Sequence, residues 1–210
     1  FLINSGTSEE RESARKKARR IFSKFKCGES VEAHLLKFRY DHGARSFDQA
    51  FLFKVSAFQA RVKQYAELFK EVGIEENSPR NEALQLIENH EDEQNRHRAY
   101  GYLFGYPKYA VDFFVEESQK TTEERKENGR KFIVVPTYDT KRNHFVWAAP
   151  KDYVETKVDE YIKKEASLIL TKYKSLRSKH VDQNGRGAMK LVRDWFCQEG
   201  KGCDSSHAEY

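Results

Sequence analysis

Through most of the chain, apolar residues recur every three or four positions, the period of amphipathic helices. Ala14, Ala18, Ile21, Phe22 and Phe25 share one face of a first helix, which Thr7 and Glu10 open with the spacing of a capping box and Cys27-Gly28 closes. Ser30 caps a second helix to about Tyr40, with Val31, Leu35 and Phe38 inward, and Gly43 stops it. The clearest seam follows. Phe47, Phe51, Val55, Phe58, Val62, Tyr65 and Phe69 predict a central core helix from Ser46 or Asp48 to about Val72. Ser78-Pro79 then starts a helix over about 79–104, and Gly105-Tyr106-Pro107 turns the chain into another that reaches Lys120. A polar run, Thr121–Arg130, comes next.

The period changes once. Residues 132–138 and 144–149 are rich in β-branched and aromatic side chains and flank Asp-Thr-Lys-Arg-Asn, which predicts a β-hairpin over about 132–149. Pro136 places that run at an edge or a bulge. A lone hairpin is marginal in water, so this one has to pack on the helices. A long helix over about 154–180 follows, with Val158, Ile162, Ala166, Ile169, Tyr173 and Leu176 as its stripe. After the loop Asp182–Gly187, a last helix carries Leu191, Val192, Trp195 and Phe196, and the tail beyond Gly200 is expected to be disordered. The pattern as a whole predicts a mainly α single domain of roughly six or seven helices with one small β-hairpin.

Composition adds an uneven distribution of charge. The formal net charge is +5, and Ser8–Lys26 carries an excess of basic residues large enough to account for it. Glu71–Glu93 is strongly acidic, with Arg80 its single basic residue, and Lys172–Arg193 is basic again. No run approaches the roughly 20 apolar residues that span a bilayer, so a soluble protein is expected. The chain starts at Phe1 and Met189 is its single methionine, so any targeting segment is expected to lie outside it. Cys197 and Cys203 bracket a flexible loop and are read as two thiols near a loose end, although an oxidising compartment would let them pair.

One stretch breaks the helical pattern. On the helix over 79–104, the positions continuing the stripe of Leu84 and Ile87 are His90, Gln94, His97, Gly101 and Phe104. Polar groups in a core-facing stripe must find partners or bind something. His90 and His97 lie about 10 Å apart along a straight helix, too far to share one metal ion. The spacings of the zinc-protease and di-iron signatures are absent, so no metal is predicted and the cofactor is undetermined. Glu93 and His97, four apart, form a carboxylate–imidazole pair in which His97 would be the general acid or base and Glu93 would orient it. Tyr100, Tyr106 and Tyr109 would close a small-molecule cavity around His90 and Gln94, with Tyr138, His144 and Trp147 of the hairpin contributing.

Two functional expectations follow from these residues. The first is a helical protein with a polar, aromatic-lined small-molecule pocket near residues 90–109. The second is a non-enzymatic interaction protein that binds nucleic acid or another polyanion through its basic N-terminal helix. There is no glycine-rich phosphate loop and no nucleophile elbow, which lowers the odds of the common enzyme classes.

Overall fold

The computed structural model describes residues 8–23, 26–27, 31–37, 48–137 and 144–196. The protein is mainly α, with a β-hairpin in its second half. It divides into two compact units, Phe1–Leu103 together with Phe196–Tyr210, and Phe104–Trp195. No helix among the described residues is long and apolar enough to cross a membrane. Thr7, Phe25, Phe47, Tyr138, Cys197, Cys203 and the tail beyond Gly200 lie outside the described residues.

The first unit begins with helix α1 (Ser8–Ser23) and continues into an antiparallel sheet of β1 (Lys26–Cys27), β2 (Val31–Lys37) and β3 (Asp48–Lys54), in the order β1-β2-β3. This sheet corrects two expectations: within the second helix expected from Ser30 to Tyr40, Val31–Lys37 is strand β2, and at the start of the expected central helix, Asp48–Lys54 is strand β3. The physical reason is a competing period. Val31, Ala33 and Leu35 alternate with Glu32 and His34 as well as they fit helical steps, and Val31 and Ala33 are buried. In β3, Phe51 and Phe53 share a face with ring centroids 6.4 Å apart. The pairing places His34 opposite Phe51 and Glu32 opposite Phe53.

From Val55 onward the predicted seam is helical. Helix α2 (Val55–Gln64) buries Phe58 and Val62, and α3 (Ala66–Glu71) buries Phe69. The break falls at Tyr65, whose ring stacks on Tyr102 with centroids 4.0 Å apart. The predicted helix over 79–104 is also two pieces, α4 (Arg80–Asn89) and α5 (Glu93–Leu103). Both α1 and α4 pack on β2, and α5 packs on α2, α3 and α4. Arg80 of α4 forks onto the Glu32 carboxylate with bonds of 2.6 and 3.0 Å, fixing α4 on the sheet.

The second unit holds α6 (Lys108–Ser118), α7 (Thr122–Asn128), strands β4 (Arg130–Pro136) and β5 (His144–Pro150), α8 (Lys157–His180) and, up to Trp195, α9 (Ala188–Phe196). The hairpin forms as expected, with Val134 opposite Val146 and Pro136 opposite His144. Its inner face, Ile133, Val135, Trp147 and Ala149, is buried with Ala110, and Ile162 and Ala166 of α8 pack against that cluster. Helix α7 lies within the polar run Thr121–Arg130. Thr121 and Glu124 form a reciprocal capping box there, a signal legible in the sequence.

Candidate functional site

The polar stripe around His97 is rearranged by the break at His90–Asp92. An asparagine- and acid-rich sequence stops α4 at Asn89, and Asp92 restarts the chain as a helix by accepting the amides of Gln94 (2.7 Å) and Asn95 (3.1 Å). Those bonds hold the Asp92 carboxyl below its ordinary pKa. Because two helices replace one, the inward face of α5 is Arg96, Ala99 and Tyr102. The expected stripe of 94, 97, 101 and 104 is therefore turned aside: Gln94, His97 and Gly101 are half-buried and Phe104 is exposed.

The corner between α4 and α5 is polar and internally matched. Buried Glu88 accepts the hydroxyl of Tyr100 at 2.7 Å, and buried Arg96 donates to the carbonyl of His90 at 2.8 Å. Burial, followed by the bond to Glu88, pushes the Tyr100 phenol far above its ordinary range. His90 ends α4 with its Nδ1 3.3 Å from the Asp92 carbonyl.

Glu93 and His97 do meet, with the carboxylate 3.9 Å from Nε2. The imidazole is 27% exposed and the carboxylate 70% exposed. Burial lowers the imidazole pKa, Arg96 adds to that, and Glu93 opposes it. The ring is therefore neutral near pH 7. Chemically, the pair has the composition of a general base with an orienting carboxylate.

The other expected site residues belong to the second unit. Tyr106 stacks on Phe145 at 4.3 Å and meets Trp147 edge-on at 6.5 Å, and its phenol is pushed up by burial. Trp147 donates its indole N–H to the Tyr109 hydroxyl at 2.7 Å, and Tyr109 in turn donates to Asp159. Asp159, wholly buried, also accepts from Tyr153 (2.7 Å), the Thr156 amide (2.7 Å) and the Thr156 hydroxyl (3.0 Å). Burial raises its pKa, but the Thr156 amide, the two phenols and the Thr156 hydroxyl outweigh it, so the carboxyl titrates below the ordinary range. Every bond in this chain has a structural use, because Asp159 caps α8 and ties it to α6 and to the hairpin. For His144 the backbone pairing is the whole of what is placed.

Sequence reasoning missed Glu88, Arg96, Tyr153 and Asp159. Asp159 had a signal: Thr156-x-x-Asp159 has capping-box spacing before an apolar stripe. Glu88 continues the buried face of Ala83, Leu84 and Ile87 on α4, whereas Arg96 had no signal, since it is buried by the turn that resets helical register. Among the described residues no group of three or more His, Cys, Asp or Glu side chains is placed to hold a metal ion. No protein-family model matches the chain, and no curated protein or solved structure matches it either.

Proposed function

We propose that this protein is a non-enzymatic interaction protein that binds a polyanion along the outer face of α1. The observation that carries the reading is the sidedness of this helix. Ala14 and Ala18 are half-buried, α1 packs on β2, and Lys16, Lys17 and Arg20 are exposed. Glu12 sits 3.7 Å from Arg15, at the edge of the array. A helix docked by alanines with cations turned outward is the footprint of phosphate-backbone contact. The test is fluorescence anisotropy with labelled duplex and single-stranded oligonucleotides from low to moderate salt. Binding should weaken steeply with salt, and the triple variant K16E/K17E/R20E should flatten the log–log slope by about 2–3 for duplex. An unchanged slope, or no binding at low salt, refutes it.

A second reading, a small-molecule site on α5, is supported by the half-buried neutral imidazole of His97 beside Glu93. His90, Gln94 and Tyr100 would be its neighbours on that corner. A thermal-shift screen of small metabolites tests it: a stabilising compound should lose its effect in His97→Ala, and a compound that stabilises both chains equally removes His97 from the site.

A further inference from the structure

The second unit has its own cationic surface, at the far end of α8, and that surface includes an aromatic ring. From Lys172 to Arg193 the basic residues are Lys172, Lys174, Arg177, Lys179, Arg186, Lys190 and Arg193, against the single carboxylate Asp182. Asp182 is committed locally: its Oδ1 accepts the amides of Asn184 (2.9 Å) and Arg186 (2.8 Å), tightening the loop after α8. The next carboxylate, Asp194, lies 2.5 Å from His180 Nε2 and 3.7 Å from Lys179. Lys172, Lys174, Arg177, Arg186 and Lys190 all lie exposed.

The fold places a tryptophan among these cations. Gly187 has φ +93, and a Cβ there would stand 1.9 Å from the carbonyl oxygen of His180. Only glycine allows the loop to return so close to the end of α8. That return directs α9 onto the basic half of α8. Trp195 then meets Tyr173 with centroids 6.2 Å apart, and Lys172 Nζ stands 5.5 Å from the indole centroid. Trp195 is partly exposed.

We infer that this end of the second unit is a binding platform for single-stranded nucleic acid, with Trp195 stacking a base and Lys174, Arg177 and Lys190 holding the phosphates. Backbone charge and an aromatic face are the two components such platforms combine. Single strands are favoured over duplex because a paired base has no free face to offer an indole. The inference rests on residues of the second unit and stands whether or not the α1 reading holds.

The test exploits the two tryptophans in the chain. Trp147 is 4% exposed, so quenching by an added ligand reports Trp195. Titrating the full chain with oligo(dT) or oligo(U) of about 16 nucleotides should quench emission, with affinity falling by about 0.7 log units per phosphate contact for each tenfold rise in salt. The variant K174E/R177E/K190E should weaken binding about tenfold or more at low salt, with unliganded emission unchanged. Followed by anisotropy of a labelled strand, Trp195→Leu should cost about 5- to 100-fold in affinity while keeping the salt slope. Circular dichroism checks that each variant is folded, and Trp195→Phe should recover part of the loss. K16E/K17E/R20E should leave the quenching intact, which separates this surface from α1. Absence of quenching overturns the inference, as does equal affinity for duplex. Binding lost only in the α1 variant overturns it too, and so does a blue shift with anionic phospholipid vesicles but no response to oligonucleotide.

Discussion

Replacing Asp159 by asparagine tests whether one buried carboxylate organises the second unit. In the wild type, Oδ2 receives three donors, from Tyr153 and from the amide and hydroxyl of Thr156, and Oδ1 receives Tyr109. Asparagine can keep its oxygen at the Oδ2 position, but those three bonds fall from charge-assisted to neutral strength, a loss of about 1 kcal/mol each. Its amide then faces the Tyr109 oxygen, which already accepts from Trp147. The Tyr109 proton is left without its acceptor, at about 1–2 kcal/mol. Relief of the desolvated charge returns about 1–2 kcal/mol, so the net loss should be about 2–4 kcal/mol at pH 7. Both tryptophans belong to the second unit, so urea unfolding followed by their emission reports this unit alone. The pH dependence gives an independent check. The folded-state pKa of Asp159 is depressed, so its contribution is present above the unfolded value, near 3.8, and is lost as pH falls through the folded value. The difference between wild type and Asp159→Asn should shrink from about pH 4 downward. A loss under about 1 kcal/mol at pH 7, or a difference constant to pH 2, would refute the reasoning.

Two further pairs of substitutions address the other corners of the fold. A double-mutant cycle on Glu32→Gln and Arg80→Ala should return a coupling of about 1–3 kcal/mol, because the forked pair is largely shielded from water. The Arg80 bond depresses the Glu32 pKa, so the coupling should be full above the unfolded carboxyl pKa and fade in more acidic urea titrations. A coupling near zero would argue against α4 being pinned to β2. Gly185→Ala and Gly187→Ala both force a side chain onto a positive φ, at about 1–2 kcal/mol. Gly185 has open space where a Cβ would go, whereas Gly187 meets the His180 carbonyl. Gly187→Ala should therefore be clearly the worse in thermal unfolding and should raise hydrogen exchange in α9. Equal losses would mean that the loop does not close on the end of α8.

The amino-acid sequence by itself determined the elements whose periods have no rival. The hairpin is legible because residues 132–135 and 144–147 are β-branched or aromatic around a polar loop. Helix α8 is legible from its stripe, and Gly105 takes the left-handed conformation (φ +82) that its place before Tyr106-Pro107 implied. The charge blocks at both ends of the chain are likewise facts of sequence. Tertiary structure decided the rest. Val31–Leu35 fits periods of two and of nearly four, and pairing with β3, which no local rule encodes, selects the strand. The polar stripe around His97 depended on one unbroken helix. A three-residue interruption, His90–Asp92, with Asp92 capping a new start, rotated it and buried Arg96, Ala99 and Tyr102 instead. Burial of Glu88 and Asp159 was out of reach for the same reason: a carboxylate goes inside only where distant donors converge on it, and here those are Tyr100, and Tyr109 with Tyr153. Periodicity speaks for neighbours three or four apart, and those donors stand up to 50 residues away.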